Sequence, residues 1–192
     1  MPTSITENQF KSWFYPDIMR NRVDRMMLCG NQGDPFAAKD IIGILDYCAS
    51  VLPARRQLVT HSNGGLRSEE VWREAGKILQ GNEKWYMWFS IDGLEDTNHL
   101  YRKNAKWKSI MTAIDAGKTR KCKIRWKFIV FKHNQHQIYL AKELSKKLGF
   151  DDFKLEHSDR WLGRTDLMPD REFVDNIYKQ QKKILVLSLI HI

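Results

Sequence analysis

The chain has 192 residues and a mass of 22.7 kDa, with 42% hydrophobic residues, which fits one globular domain and argues against a disordered chain. Its formal charge of +9 is dispersed, and the densest runs, "KTRKCKIRWK" and "KELSKKLGF", fall on an expected strand approach and a helix, so they read as solvated surface before they read as a nucleic-acid footprint. The N-terminus carries no charged-then-apolar signal, no apolar stretch approaches the roughly 20 residues of a membrane span, and Cys29, Cys48 and Cys122 lack the close pairing of zinc or disulfide frameworks, so the expectation is a cytoplasmic protein with no membrane partner.

Along the chain, "SITENQFKSW" predicts a first helix with Thr6 and Gln9 as a capping box. A strand over Val23 to Cys29 follows, then a helix whose stripe is Ile41, Ile42, Leu45, Cys48, Ala49 and Leu52, stopped by Pro53. The next strand spans Arg56 to His61 and leads to a helix around Glu69 to Leu79. A third strand, Trp85 to Ile91, precedes a helix around Lys106 to Ala116. The fourth, Lys123 to Phe131, is followed by a helix with Asn134 as N-cap, Ile138, Ala141, Leu144 and Leu148 on one face, and Gly149 as its stop. A fifth strand covers Asp152 to His157. Strand centres lie about 30 to 40 residues apart, the length of a βα unit, so the expected class is α/β, with parallel strands and outer helices. Five strands are too few to close an eight-stranded barrel, so the expected architecture is a partial (β/α) barrel.

In such a sheet ligands meet the carboxyl ends of the strands. The loop after the first strand, "GNQGDP", offers Gly30 and Gly33 for close backbone approach and Asp34 as a carboxylate suited to an ammonium group. Asp34 is read as a free rim group whose loss weakens binding and spares stability. The second strand leaves as "HSNGG", with Ser62, Asn63 and Gly64. The third leaves as "SIDG", where Asp92 and Ser90 could bond sugar hydroxyls, and the fourth as "FKHN", ending in Asn134. Together these suit a ligand that carries an amino acid moiety and a ribose. Two other readings use some of the same residues. His61, His133 and His157 with Asp92 could form the zinc site of a barrel hydrolase, although no H-x-H or H-E-x-x-H signature is present. Trp126, Trp161 and Tyr139 could stack on bases in a nucleic-acid-binding module, against the expectation that Trp85, Trp88 and Trp126 pack inside strands.

The order "GxxGDP", "SNG", "SIDGLEDTNHLYR", "FIVFKHN" resembles the radical S-adenosylmethionine (radical SAM) superfamily, in particular its SPASM-type, peptide-modifying group, over about residues 1 to 157. In that family a Gly-Gly-Glu-Pro turn holds the methionyl amino group, and Gln32 to Pro35 are similar, with Gln for the first Gly and Asp for Glu. The resemblance implies that Ser62, Asn63 and Gly64 match a Thr-Asn-Gly turn, and that Ser90, Asp92 and Gly93 match a Ser-x-Asp-Gly segment near the ribose and methionyl groups. His99 and Arg102 echo a His-x-x-Arg pattern. It implies S-adenosylmethionine and a [4Fe-4S] cluster as cofactors, a reductant for that cluster and an unknown, peptide-like substrate.

The family's C-x3-C-x2-C triplet does not occur in these residues, so the cluster ligands and the first strand are expected upstream of Met1, and the chain alone is expected to be inactive. The expected division is a partial core domain over 1–157 and a C-terminal segment over 158–192. Within that segment the closing "ILVLSLIHI" resembles an artefactual tail and is expected to contribute little to the fold.

Overall fold

In the computed structural model the described residues are 4–30, 33–119, 122–156, 158, 164–172, 175, 176 and 179. His157, Trp161, Gln32 and the closing "ILVLSLIHI" lie outside them. The capping box forms as expected: Thr6 accepts from Gln9 N at 3.2 Å and donates its own N–H to Gln9 Oε1 at 3.0 Å, which starts α1 (Glu7–Trp13). A second short helix, α2 (Pro16–Asn21), uses Pro at its first position, where no N–H is required. The chain then runs β1 (Arg25–Leu28), α3 (Ile41–Val51), β2 (Gln57–Ser62), α4 (Glu69–Leu79), β3 (Trp85–Ser90), α5 (Asn98–Tyr101), α6 (Trp107–Thr119), β4 (Lys123–Ile129), α7 (Ile138–Lys147) and β5 (Asp152–Glu156). Single 3-10 turns at Pro35–Ala37 and Gln135–Gln137 precede α3 and α7.

The five strands pair in chain order, β1-β2-β3-β4-β5, and every pair is parallel. An order that never reverses has no switch point, so the helices return over the same side of the sheet and the sheet curls away from them as in a barrel. The packing follows that division. Leu58, Met87, Phe89, Ile124, Trp126 and Phe128 point to the helices and join the main core with Leu45, Trp72, Leu79 and Ile114. Val59, Tyr86 and Trp88 point the other way and form a small cluster of their own on the concave face. Trp126 is fully buried and donates Nε1 to Ile91 O at 2.8 Å, which places it in the core and removes it from any stacking role with bases.

Several boundaries differ from the sequence reading by one to three residues, and those after β4 shape the rim. The fourth strand stops at Ile129, because Asp92 Oδ1 takes the Ile129 N–H at 2.7 Å and the Asn134 side chain takes Ile129 O and the Phe131 N–H at 3.0 and 2.7 Å. Asn134 therefore does not cap α7 with its side chain: it heads the 3-10 turn, makes no capping bond, and is wholly buried beneath the loop. Past β5, Leu167 and Met168 pack on Ile129 and Phe131, and Lys132 N donates to Leu167 O at 3.1 Å.

His61 faces the concave side and is mostly buried, with its ring 6.2 Å from that of Trp88. Burial, and then the charges of Lys127 and Arg25, lower its pKa from 6.5 to about 4, with Glu156 opposing. Between pH 6.5 and about 4 the unfolded chain takes up a proton that the folded chain refuses, so this contribution is complete above pH 6.5 and is lost as the pH falls towards 4. Thermal unfolding at stepped pH should show a shallower acid loss for His61→Gln than for the parent, and identical slopes would rule this out.

Candidate functional site

The carboxyl end of β1 leads into a loop where a Cβ on Gly30 would collide with the Gly33 carbonyl, so the chain folds back on itself there only because residue 30 has no side chain. A Cβ on Gly33 would meet nothing within 4 Å among the described residues. Asp34 follows in extended backbone and caps the first 3-10 turn, its Oδ1 accepting the Phe36 N–H at 2.9 Å. Its other oxygen reaches the end of β2, where Oδ2 accepts from Ser62 Oγ and from the Asn63 N–H, both at 2.8 Å. The carboxylate thus ties two rim loops together. Losing it would strand three donors, which corrects the expectation of a free rim group that is neutral for stability.

The second loop is organised around that contact. Ser62 Oγ also accepts from Gly64 N at 3.0 Å, and Asn63 Oδ1 accepts from Gly65 N at 2.8 Å. Gly64 sits at φ +71°, and a Cβ there would stand 3.3 Å from the Phe89 ring, so both conformation and space favour glycine. Arg67, at φ +71°, donates Nε to Phe36 O at 2.5 Å and Nη2 to Ala38 O at 2.6 Å, holding the first loop from its outer side. Phe36 in turn stacks on Trp72 of α4 at 3.8 Å. Sequence reasoning missed Arg67, since a single arginine in "GGLRSEE" carries no pattern that separates it from a surface charge.

The third loop holds a buried carboxylate. Asp92 is 0% exposed, and its Oδ2 pairs with Arg102 Nε at 2.6 Å while Oδ1 accepts the Ile129 N–H. Its backbone is also engaged, the N–H by Asn98 Oδ1 at 2.9 Å and the carbonyl by Asn134 Nδ2 at 2.8 Å. Asp92 therefore has no surface to offer a ribose: it joins the end of β3 to α5 and to the end of β4. Next to it, Gln137 Oε1 accepts from Leu94 N at 3.0 Å and from Thr97 Oγ1, and its Nε2 donates to Asp96 at 2.8 Å. Thr97, Asn98 and Gln137 escaped the sequence reading, and burial of polar side chains was the signal that only the fold supplies. Ser90 ends β3 partly exposed, on the same side as Tyr86 and Trp88.

The rim so gathers Asp34, Ser62, Asn63 and Gly64 at one junction and Asp92 with Asn134 at a second. It does not gather a metal site: among the described residues no three His, Cys, Asp or Glu side chains could hold an ion. His61 is in β2, His133 stacks on Phe131 at 5.4 Å in the loop after β4, and the Asp92 oxygens are engaged. Nor do the cysteines fit a [4Fe-4S] cluster. Cys29 is exposed near the end of β1, whereas Cys48 in α3 and Cys122 before β4 are buried thiols whose pKa is pushed up to about 12, chiefly by burial.

No family model and no curated protein sequence matches the chain. Solved structures do. SuiB of Streptococcus suis bound to S-adenosylmethionine aligns with a TM-score of 0.69 at 14% identity, over 94% of this chain and 42% of SuiB, and SuiB bound to its precursor peptide SuiA aligns equally well, with a TM-score of 0.68. anSMEcpe with bound AdoMet aligns with a TM-score of 0.59 at 14% identity, over 81% of this chain and 44% of that one. Coproporphyrinogen III oxidase (HemN) from Escherichia coli, a radical SAM enzyme, aligns with a TM-score of 0.62 at 12% identity, over 95% of this chain and 44% of HemN. The chain spans less than half the length of these proteins, and at such identities the likeness is one of fold. With five parallel strands in unbroken order and helices packed on one side, the chain has the fold of part of a radical SAM barrel.

Proposed function

We propose that these residues form the S-adenosylmethionine-binding rim of a radical SAM enzyme that acts on a peptide. The observation that carries this reading is the junction at Asp34. A carboxylate accepts about four hydrogen bonds, and three positions are filled by Phe36 N, Ser62 Oγ and Asn63 N. Among the described residues Oδ1 keeps one further acceptor position at the carboxyl end of the sheet, and that position suits an ammonium group. SAM-bound relatives of the same fold support the choice of ligand, and a relative bound to its precursor peptide supports the choice of substrate.

Each residue of the rim then has a task. Asp34 binds the ammonium and orients it, Gly30 and Gly64 let the two flanking loops fold tightly against their own neighbours, and Ser90 presents a hydroxyl from β3. Asp92 and Asn134 act as positioning residues that hold the third and fourth loops at fixed height. A [4Fe-4S] cluster, if held by other sequence, would supply the electron for reductive cleavage of S-adenosylmethionine. The cysteines of this chain do not fit that cluster, so the reading requires C-x3-C-x2-C ligands from other sequence.

Calorimetric titration of the chain with S-adenosylmethionine tests the proposal. Asp34→Ala should weaken binding by about 10- to 150-fold, the equivalent of a charge-assisted contact of roughly 1.5 to 3 kcal/mol. It should also lower stability by about 1 to 3 kcal/mol, because it strands the donors of two loops. Asp34→Glu, which keeps the carboxylate, should retain most of the affinity. Absence of any S-adenosylmethionine binding, or undiminished affinity in Asp34→Ala, would refute the assignment.

The second junction gives a contrasting outcome. Arg102→Ala leaves the Asp92 carboxylate buried without its cation, and urea unfolding should record a loss of about 3 to 5 kcal/mol. Replacing both, Asp92→Asn with Arg102→Ala, should recover part of that loss, since no uncompensated charge remains inside.

A further inference from the structure

The strand register lays His61, Trp88, Arg125 and Asp152 side by side across the concave face. Most cations on this face are engaged. Lys127 and Lys154 both reach Glu156, at 3.6 and 2.7 Å, and Arg25 donates to the Tyr86 hydroxyl at 3.4 Å. Arg125 differs. Its guanidinium lies over the Tyr86 ring at 3.9 Å and beside the Trp88 ring at 5.6 Å, and no hydrogen bond or ion pair engages its nitrogens among the described residues. Its Nε is buried with no acceptor, and its cross-strand neighbour Asp152 forms no ion pair with it. On the other side of Trp88, His61 has a buried Nε2 that likewise lacks a partner.

A guanidinium held flat on aromatic faces has its fork of N–H groups fixed in direction, which is the arrangement that grips a carboxylate in bidentate fashion. Four spacings between five strands make the face about 19 Å wide, room for roughly five or six residues of extended peptide. We propose that Arg125, backed by Tyr86 and Trp88, anchors a carboxylate side chain of a peptide substrate on the concave face. The choice of a peptide rests on the function proposed above, whereas the choice of an acidic group rests on the unspent cation.

The test titrates the chain with an eleven-residue peptide carrying a central Glu and with its Gln counterpart, reading tryptophan fluorescence, with inorganic phosphate as a competitor. The Glu peptide should bind about 10-fold or more tightly than the Gln peptide, the worth of one charge-assisted contact. Arg125→Gln should abolish that preference while leaving S-adenosylmethionine affinity unchanged, and Arg125→Lys, which keeps the cation but loses the fork, should retain part of it. Lys147→Gln, on the exposed end of α7, should leave the preference intact. Equal binding of the two peptides would overturn the proposal, as would a loss in Lys147→Gln as large as in Arg125→Gln, which would trace the preference to the overall charge. Competition by phosphate as strong as that by the Glu peptide would overturn the peptide assignment. Selective Glu binding without S-adenosylmethionine binding would sustain the anchor and sink the cofactor reading, and the reverse would sink the anchor alone.

Discussion

A carboxylate sealed from water must be neutralised by its neighbours, and at Asp92 that requirement organises the carboxyl end of the sheet. Arg102 supplies the countercharge from just beyond α5, and the N–H of Ile129 supplies a second donor from β4. Because Ile129 gives its N–H to a side chain, the ladder of β4 ends there and the chain is free to turn. Asn134 completes the arrangement by donating to both Asp92 O and Ile129 O. Three segments distant in sequence are thereby fixed to one buried charge, and the loops that flank them inherit their height above the sheet.

Much of the architecture was legible in the sequence because it depends on local pattern. Strand and helix alternation follows from period-2 and period-3.6 hydrophobicity, and the Thr6 to Gln9 capping box follows from three-residue spacing. The rim residues were legible as types and not as roles. Asp34 and Asp92 both looked like ligand-facing carboxylates after a strand, yet one bridges two loops and the other is buried within a polar network. Nothing local distinguishes them, since burial is set by what other segments bring. The same holds for Asn134, whose position before a helix reads as a cap although its side chain turns back towards β3 and β4. Arg125 was invisible as a functional candidate: alternation within "KIRWKF" predicts which side of the strand it occupies, but not that two aromatic rings await it there.

The two faces of the sheet divide the chemistry. The helix side is filled by aliphatic and aromatic side chains whose removal from water supplies most of the folding free energy. Among the described residues the concave side carries a three-residue apolar cluster, with Ile129 in a second, and also bears His61, Arg125, Lys127 and Glu156. Lys127 and Glu156 are paired, whereas Arg125 Nε and His61 Nε2 are buried without an acceptor or donor among the described residues, and such atoms lower stability.

The strand order has a last consequence. β1 pairs only with β2 and β5 only with β4, so among the described residues each outer strand presents a row of backbone N–H and C=O groups along one side. Such rows are adhesive: they accept any extended segment of matching direction, a second copy of the same strand included. β1 is four residues long, with Met27 37% exposed, and Cys29 lies exposed just beyond it. These two borders are where a further strand, from whatever sequence supplies it, would extend the sheet by backbone pairing alone.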